Sequence, residues 1–598
     1  MIRTLLLGTA GTLLLAGCLP KVVEPDDPPG PSSEPAAEQT PSVTEPPTTA
    51  EPGGQSGQGG QGGQGTSGTS GTNTPMPDDE GDPDRAAAAR FLVQASFGPA
   101  PSDIDEVMET DFAGWIAKQS ALPVPSLTSR VLQTPDANRH TLTDLFWSHA
   151  IDGEDQLRQR VAYALSQIVV ASLRHDHYWS HPEIFASYMD VLQREALGNY
   201  LDLIQEVSVN PAMGLYLSSL GNKRGRDGAV PDENYAREVM QLFTIGLEVL
   251  NPDGTSTGRE TYTIDDIRGL ASVFTGLSYA GTSFNWPRMD QTDPAAPMTS
   301  HDEYHEAAPK TFLGTTIDVG SDARASVRAA LDHLLAHDNV APFVGKQLIQ
   351  RLVSSNPSPA YVARVSAAFE AGFYEADGYA FGEGRRGDMT ATVAAILLDE
   401  EARDARHAAR PDHGKVREPA MRVAQFLRAF RDDAAAPQRG APAPAGRLRT
   451  ANMLWVLGQQ PYNPDSVFGF TRPGYVAPSG WTAQAGLVAP QLSLAGGAQT
   501  VSYINFMGWA IPGRADRLAS YLPDYDAYRP LAEDPEALVD ALDGLLTYGS
   551  LSAATRARIV EAVGTISIDA READADRERR LHLAVLMMVT SAEYGVLR

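Results

Sequence analysis

Apolar residues recur every three to four positions along most of this chain, with polar residues between them. That spacing is the pattern of an amphipathic α-helix, whose apolar side chains line one face. Strict alternation, the pattern of a half-buried strand, is scarce, and its best short example covers residues 311–319. The sequence therefore predicts a mainly α fold, a large multi-helix globular body with few short strands. Helices are predicted over 86–97, 102–115, 155–173, 182–197, 200–209, 264–275, 323–336, 340–353, 360–371, 389–399 and 418–431.

Residues typical of helix ends mark the first two predicted helices. Gly98 and Pro99 follow the first helix, and neither residue type continues a helix well. Ser102 stands where a side-chain hydroxyl can accept from the free N–H groups of the second helix. Asp103 and Asp105 come next, where the helix dipole favours negative charge. We therefore expect Ser102 to cap the second helix.

Residues 1–17 have the pattern of a secretory signal peptide. Arg3 supplies a positive charge near the start, and residues 4–15 form an uncharged apolar run. The run is too short for a permanent membrane-spanning helix but suits the central part of a signal peptide. Residues 15–18 read Leu-Ala-Gly-Cys, which resembles a bacterial lipobox, where the cysteine becomes the lipidated first residue of the mature protein. The sequence therefore predicts an exported lipoprotein that carries acyl chains such as palmitate on Cys18.

Cys18 is the one cysteine of the 598-residue chain, so no disulfide bond can form within it. A plain secretory signal with a chance cysteine is the alternative, and the lack of a pairing partner favours lipidation. Several acyl chains on one residue hold a protein firmly at a bilayer. Leu19 follows the cysteine, instead of the aspartate that resembles an inner-membrane retention signal, so we expect the outer membrane of the cell envelope. Which membrane face the protein occupies stays open.

Residues 18–84 are predicted to form a disordered tether between the lipidated cysteine and the folded body. The stretch is rich in Pro, Gly, Ser and Gln and has almost no aromatic or bulky apolar residues. Such a composition buries too little apolar surface to offset the entropy lost on folding. A spacer that lets the body stand away from the membrane is the favoured interpretation, and filler without a role is the alternative.

The helical body is predicted to cover residues 85–598 and to have two parts. A main lobe of about 85–431 is followed by a surface loop rich in Pro, Ala and Gly at 432–446, and a C-terminal part covers 447–598. Residues 461–486 are rich in Pro, Gly and aromatic residues and lack a helical period. We therefore expect the C-terminal part to pack across the main lobe instead of folding alone.

The charge of the chain excludes some classes of partner. The sequence has 75 acidic and 48 basic residues, which gives a formal net charge of -27 at pH 7. Nucleic acids and anionic membrane surfaces attract positively charged proteins, so we expect this body to bind neither. Hydrophobic residues make up 42% of the chain, which is enough for a large core.

A polar stripe on the helix predicted within residues 232–247 is the best candidate for chemistry. Helical spacing places Tyr235 and other apolar residues on one face and the polar residues on the other, and Gly246 is predicted to end the helix. Paired carboxylates can act as general acid and base, and a guanidinium can hold an anionic group. The candidates are Glu238 and Glu233 for catalysis and Asn234, Arg237 and Gln241 for substrate binding. A solvated face, or a buried network that stabilises the fold, is the alternative.

Histidines supply the candidate metal ligands. His301 and His305 lie in an acid-rich segment and are the best pair, because a metal site needs several ligands close together. The other groups are His175, His177 and His181 in a loop, and His333 with His337 on a helix. The last pair lacks the glutamate that the zinc-protease pattern places after its first histidine. Histidines without a metal are the alternative, and no cofactor is strongly indicated.

Several large enzyme classes have no motif in this chain. It contains no Gly-x-Ser-x-Gly elbow, no Walker loop and no dinucleotide-binding fingerprint after a predicted strand. A cysteine nucleophile is excluded if Cys18 carries lipid. Carboxylate chemistry remains open, because it needs none of these motifs.

Several stretches of the body resemble motifs of a known bacterial family. They are similar to motifs of the family catalogued as domain of unknown function 1800, in the form of a lipoprotein member. The stretches run from the first predicted helix into the C-terminal part, so the resemblance covers nearly the whole body. They are 89–99, 157–167, 210–213, 232–247, 310–314, 347–353, 417–419 and 466–475.

The resemblance implies a helical exported protein but no agreed activity. Genes of this family often neighbour another exported family that resembles phosphatases and sulfatases, which implies a partner in a shared envelope task. Motif membership of Asn234, Arg237 and Glu238 argues against a merely solvated helix face. Two functions remain open. The protein binds and supports such a partner in handling surface polymers, or it is a carboxylate-dependent hydrolase or lyase acting on an extracellular polymer.

Overall fold

The computed structural model of the protein describes residues 84–225, 230–285, 287–318, 320–431, 457–513 and 522–598. The predicted signal peptide, the lipidation site Cys18, the predicted tether up to residue 83 and the predicted loop at 432–446 lie outside the described residues. Every element below belongs to one compact unit, Pro75–Arg598.

Helices dominate the described part of the chain, so the predicted mainly α fold is confirmed. Most predicted helices are present with ends within about two residues of those predicted, the usual uncertainty of a helix boundary. Among the described residues, no helix is long and apolar enough to cross a membrane. The α-helices are Arg85–Ala95, Pro101–Ser120, Leu127–Leu132, Arg139–Asp152, Gln156–Ser166, His177–Ser180, Pro182–Glu195, Tyr200–Ser208, Pro211–Tyr216, Asn234–Glu238, Ile264–Val273, Ala323–Leu335, Val340–Leu352, Pro359–Ala371, Met389–Leu397, Glu400–Arg403, Ala405–Ala408, Pro419–Ala429, Trp481–Gln484, Gly497–Ala510, Pro535–Leu546, Ala553–Gly564, Ala573–Val589 and Ala592–Gly595.

Strands in the described residues are short and pair two by two, always antiparallel. The predicted strand at 311–319 is a tight hairpin, because Gly314 takes a φ of 72° at its turn. The pairs are Glu248–Leu250 with Ser256–Glu260, Leu277–Ser278 with Thr299–Ser300, Lys310–Phe312 with Thr315–Ile317, Tyr374–Ala376 with Tyr379–Phe381, and Lys415–Val416 with Val596–Leu597. A π-helix covers Val239–Thr244, and 3₁₀ turns cover Met289–Gln291, Asp302–Tyr304, Pro490–Leu494 and Pro530–Glu533.

The helix predicted over 155–173 is shorter than predicted. It ends at Ser166, and the backbone beyond it bonds to the C-terminal part instead of continuing the helix. The Leu173 N–H donates to the carbonyl of Tyr462 at 2.9 Å, and the Ser172 hydroxyl donates to the carbonyl of Pro464 at 2.9 Å. These tertiary bonds replace helical ones, which no local pattern reveals.

The predicted cap of the second helix is wrong by two positions. The helix begins at Pro101, whose fixed φ suits a first helical residue and leaves no N–H to satisfy. Ser102 therefore lies inside the helix. Asp103 supplies the cap bond, since its Oδ2 accepts the Ala100 N–H at 2.9 Å. The same carboxylate forms an ion pair with the buried Arg428 at 2.5 Å.

The C-terminal part packs directly on the main lobe. Strand Val596–Leu597 pairs with Lys415–Val416, and the Arg417 guanidinium donates to the carbonyl of Tyr594 at 3.0 Å. Apolar residues of both parts belong to one continuous core, from Ala88 in the first helix to Leu597 in the last strand. The two parts therefore bury their apolar faces against each other, which brings motif stretches distant in sequence close together.

Candidate ligand-binding cavity

The segment at 232–247 begins as an α-helix and finishes as a π-helix. The Asp232 carboxylate accepts the N–H of Asn234 at 2.8 Å, and the α-helix Asn234–Glu238 runs straight into the π-helix Val239–Thr244. A π-helix accommodates an extra residue in one turn and is frequent at functional sites. Gly246 ends the segment with a φ of 70°, as predicted for that glycine.

The predicted apolar face of this segment is buried. Tyr235, Val239 and Phe243 are each no more than 1% exposed, and the Tyr235 hydroxyl bonds to that of Ser208 at 2.6 Å. Leu242 is half-buried, packs against the edge of the core and also lines a cavity. A π-helical turn contains more residues than an α-helical turn. The side chains after it therefore point in a different direction from those of an ideal α-helix.

Four of the motif stretches meet at a cavity of about 620 Å³, which we call the motif cavity. The stretches lie in four separate segments of the chain. The walls of the cavity are more apolar than polar. The contributing residues are Gln167 from 157–167, Gln241, Leu242, Gly246 and Leu247 from 232–247, Gln347, Gln350 and Arg351 from 347–353, and Val467, Phe468, Arg472, Pro473 and Gly474 from 466–475. A volume of about 300–1,000 Å³ with mostly apolar walls is typical of small-ligand sites.

The absence of a side chain at Gly246 lets the Phe343 ring pack closely against the backbone in one wall of the motif cavity. A Cβ atom at this position would lie 2.7 Å from Cε2 of Phe343, which is closer than real Cβ contacts come. Phe343 itself lines the cavity. Gly246 therefore combines a left-handed turn with close ring packing, and each of these favours glycine.

The charged groups that line the motif cavity are mostly positive. Among the described residues that line it, Lys346, Arg351 and Arg472 are the cations and Glu248 is the one carboxylate. The Arg472 guanidinium lies 4.7 Å from the ring centroid of Phe468, which is a cation–π geometry. In a chain with a formal net charge of -27, a cavity with more cations than carboxylates is a marked local reversal.

The inner wall carries polar groups without partners among the described residues. Arg351 donates from Nη1 to the Gln347 carbonyl at 3.0 Å and from Nη2 to the Gln167 carbonyl at 2.8 Å. Its Nε has no partner, and neither have Nε2 of Gln347 and Oγ of Ser355. All three residues line the cavity and are more than nine-tenths buried. Buried polar groups are normally paired, so unpaired donors at a cavity wall call for a ligand or water.

A buried cluster of charges lies directly behind this wall. Lys415 Nζ and Arg160 Nη2 each donate to the Arg351 carbonyl oxygen at 2.6 Å. Burial lowers the pKa of Lys415 to about 7, against the opposing pull of Glu418 and with smaller lowering contributions from Arg160, Arg351 and Arg417. The surroundings of Lys415 thus hold more positive than negative charge.

Glu418 links this cluster to the C-terminal part. Its Oε2 accepts from Gln167 Nε2 at 3.2 Å and from Gln459 Nε2 at 2.5 Å. Glu418 is 2% exposed, so its charge is screened little by water. Gln167 also lines the motif cavity, so the carboxylate is one side chain away from it.

The predicted acid–base and substrate-binding residues do not gather at one place. Glu233 forms ion pairs with Arg237 at 3.1 Å and with Arg268 at 3.6 Å, and it lines a second cavity of about 850 Å³. Gln241 lines the motif cavity instead. Asn234 is half-buried at the start of the helix. The polar stripe is therefore divided between two cavities.

Glu238 is buried and raises the pKa values of two tyrosines. Its side chain is 8% exposed, and its Oε2 has no partner among the described residues. Burial raises the pKa of Glu238, and Arg237 opposes this only in part. Burial and the nearby Glu238 carboxylate raise the pKa of Tyr216 to about 12, and both also raise the pKa of Tyr262. Glu238 lines neither the motif cavity nor the cavities of about 850 and 930 Å³.

The candidate metal ligands are engaged within the fold. His305 is buried, with Nδ1 donating to the Thr275 carbonyl at 2.8 Å and Nε2 accepting from the Ser326 hydroxyl at 3.0 Å. The His301 ring packs edge-on against Phe284 at 5.4 Å, and its buried Nε2 has no described partner. The described residues contain no group of three or more His, Cys, Asp or Glu that could hold a metal ion.

The cationic residues of the motif cavity escaped the sequence interpretation. Arg351 and Arg472 lie within stretches that resemble family motifs, so motif membership was the available signal. Lys346 and Phe343 lie outside those stretches, on the helix Val340–Leu352, and carry no signal in a single sequence.

Comparison with known proteins bears on the family but not on the activity. Residues 90–596 match the family described as "Protein of unknown function (DUF1800)", which confirms the resemblance over most of the chain. No curated protein and no solved structure matches the chain.

Proposed function

Since the chain belongs to the DUF1800 family, whose description carries no activity, we propose a function from its cavity: a ligand-binding protein of the cell envelope. The single observation that supports the proposal is the meeting of four motif stretches at the motif cavity. Motif residues that served only packing would have no reason to converge on unfilled space. Ligand recognition gives such residues a common purpose, because a site needs particular polar groups in a mostly apolar setting.

The envelope part of the proposal rests on the N-terminal sequence. Lipid on Cys18 anchors the protein in the outer membrane, and residues up to 84 act as the spacer. The bound ligand serves surface-polymer handling alongside an exported phosphatase- or sulfatase-like partner. Labelling cells with radioactive palmitate tests the anchor: the wild-type protein takes up label and the Cys18→Ala variant does not. Label retained by the variant would exclude the anchor.

A substitution that partly fills the motif cavity tests whether the protein binds a ligand there. Gly474 lines the motif cavity, and a Cβ there meets no atom within 4 Å, so Gly474→Trp introduces a bulky side chain beside the cavity without a clash at its Cβ. Gly497→Trp is the matched control, because Gly497 has the same free space and is not among the cavity residues. The uncharged fluorophore N-phenylnaphthylamine serves as the probe, since its emission rises in apolar surroundings.

We expect Gly474→Trp to weaken binding of this probe by about tenfold and Gly497→Trp to leave it unchanged. The test uses the chain from residue 19 onward, exported with an ordinary secretory signal, because this piece contains every described element and needs no detergent. Failure of the wild-type protein to bind the probe contradicts the proposal.

A second candidate function, a hydrolase or lyase acting on an extracellular polymer, has one observation in its favour. Glu238 is a buried carboxylate with a raised pKa, an unpaired oxygen and two tyrosines nearby, as a general acid requires. Glu233 would be the second carboxylate, with Arg237 and Asn234 orienting the substrate. Products released from envelope polymers by the wild-type protein, and lost in Glu238→Gln, would establish this function. If neither the wild-type protein nor the variant releases products, the result counts against this function.

A further inference from the structure

The motif cavity reverses the charge of the molecule around it. Three cations and one carboxylate line it, in a chain whose formal net charge is -27. Glu248, the carboxylate, is exposed, whereas Arg351 is 6% exposed and forms part of the inner wall. Positive charge at low exposure acts more strongly than the same charge in water. The inner end of the cavity therefore attracts anions.

The unpaired groups of the inner wall are donors. Arg351 Nε and Gln347 Nε2 can only donate, and the Ser355 hydroxyl can donate as well. The hydrogen bonds of the Arg351 guanidinium go to backbone carbonyls, so among the described residues its charge has no carboxylate partner in hydrogen-bond contact. Donors of this kind bind the oxygens of acid groups, and charge-assisted bonds are about twice as strong as neutral ones.

The rest of the wall is apolar and suits a different part of the ligand. Leu242, Phe343, Val467 and Phe468 supply apolar surface to the motif cavity, and Phe343 lies on the same helix as Lys346 and Arg351. Apolar area buried against such residues contributes about 25 cal/mol per Å². A purely polar anion would leave this surface uncovered.

We propose that the motif cavity binds an amphipathic anion, a small molecule with an apolar body against Phe343 and Phe468 and an acid group at Arg351 and Gln347. This inference rests on the proposed ligand-binding function and adds the chemical class of the ligand. Arg472, exposed at the cavity, draws the anion in by long-range attraction. Carboxylate, sulfate and phosphate headgroups share the chemistry that these donors recognise.

A pair of fluorophores with the same aromatic body separates charge recognition from apolar binding. Anilinonaphthalene sulfonate carries an acid group, and N-phenylnaphthylamine lacks it. We expect the wild-type protein to bind the sulfonate about tenfold more tightly than the uncharged compound, and to lose part of this preference in high salt. Competition by a fatty carboxylate, an alkyl sulfate and an alkyl phosphate then identifies the preferred acid.

Two variants assign the preference to this cavity. Gln347→Leu removes one unpaired donor at similar volume, and Arg472→Gln removes one exposed cation. Replacing Arg351 would also break its bonds to backbone carbonyls, so its loss could reflect unfolding. Arg558→Gln is the control, because Arg558 is exposed on the helix Ala553–Gly564 and does not line the cavity. We expect each cavity variant to lower the preference for the sulfonate by at least about threefold and the control to keep it.

The outcomes of these experiments distinguish failure of the anionic-ligand inference from failure of the proposed ligand-binding function. Equal affinity of the wild-type protein for both fluorophores, with binding still blocked by Gly474→Trp, overturns the anionic ligand and leaves ligand binding standing. Failure to bind either fluorophore overturns both. A sulfonate preference that survives in Gln347→Leu and Arg472→Gln places anion recognition elsewhere and overturns the inference as well.

Discussion

Lys415 Nζ donates a hydrogen bond of 2.6 Å to the carbonyl oxygen of Arg351, and Lys415 is only 6% exposed. This bond joins the start of the strand Lys415–Val416 to the helix that forms the inner wall of the motif cavity. An ammonium group buried among arginines is costly, and the cost appears as a shifted pKa. The stability of the protein should therefore depend on the protonation of this one lysine.

The first prediction concerns pH. Burial lowers the pKa of Lys415 from its usual 10.5 to about 7 in the folded protein. Between these two values the unfolded chain binds more protons, so the free energy of unfolding rises with pH from about 7 towards 10.5, by up to about 1.4 kcal/mol per pH unit. Lys415→Met removes this contribution. Denaturant unfolding at pH 7 and pH 9 should show a smaller pH slope in the variant than in the wild type.

Lys118→Met is the control for this experiment, because Lys118 is exposed and pairs with Glu106 at the surface. Its slope should match that of the wild-type protein. Equal slopes for wild type and Lys415→Met would mean that the folded lysine keeps an ordinary pKa.

The second prediction concerns the contact between the C-terminal half of the main lobe and the second helix. Arg428 is 1% exposed and donates to the carbonyls of Gly98 and Ile151 at 2.8 Å and to Asp103 at 2.5 Å. Arg428→Met removes a buried charged donor from all three acceptors at once and takes the closest cation away from the Asp103 carboxylate. We expect the free energy of unfolding to fall by about 3–5 kcal/mol, measured by denaturant unfolding.

An exposed ion pair provides the contrast. Arg288 pairs with Asp290 at 2.9 Å where both side chains are more than half exposed. Arg288→Met should cost less than about 1 kcal/mol, because water solvates either charge when the pair is broken. Similar losses in Arg428→Met and Arg288→Met would refute the structural role of the buried arginine.

The helical spacing of apolar residues was enough to predict the fold class. It was not enough to predict that the candidate binding residues meet at the motif cavity. The helices Tyr200–Ser208 and Val340–Leu352 lie where the spacing of apolar residues predicts them, because burial of one face is a local property. Beyond the helix end at Ser166, the Leu173 N–H bonds to the carbonyl of Tyr462, almost three hundred residues further on, and a local pattern contains no record of such a bond.

The residues of the candidate site also depend on tertiary contacts that a local sequence pattern does not reveal. Glu233 and Gln241 share a polar stripe in an ideal helix, but the segment changes to a π-helix at Val239 and the two side chains reach different cavities. Arg351 looks like an ordinary helix arginine in sequence. It becomes a cavity residue only because the C-terminal stretch around Phe468 folds back across it.

The third prediction concerns Gly246. This residue has a φ of 70°, and a Cβ would lie 2.7 Å from the Phe343 ring that forms part of the motif cavity. Gly246→Ala should destabilise the protein by more than about 1 kcal/mol, the usual cost of a left-handed alanine, because the ring must also move. The same variant should weaken binding of N-phenylnaphthylamine.

Gly314→Ala separates the two contributions. Gly314 has a φ of 72° but no atom within 4 Å of a Cβ, so alanine there carries the conformational cost alone. It should lose less stability than Gly246→Ala and keep full probe binding. Equal losses in both variants would show that Phe343 yields freely to a methyl group.

The fourth prediction distinguishes the two interpretations of Glu238. A carboxylate in a fully paired network stabilises the fold, whereas one held for chemistry has a stability cost. Burial raises the pKa of Glu238 above its usual 4.5, so the folded protein binds more protons than the unfolded chain and stability falls as pH rises past that value. Glu238→Gln removes the charge at nearly constant shape. Its stability relative to the wild type should therefore increase between pH 4 and pH 8.

Glu233→Gln provides the contrast at pH 6, because Glu233 pairs with the partly exposed Arg237 and Arg268 and its replacement should cost less than about 1 kcal/mol of stability. Unfolding curves of the two variants and the wild type at pH 4, 6 and 8 provide the measurement. If Glu238→Gln is less stable than the wild type by the same amount at each pH, the carboxylate is a paired structural group and its candidacy as a general acid ends. If its advantage grows with pH, the fold tolerates a buried charge at Glu238 that costs stability, and that tolerance needs a functional reason.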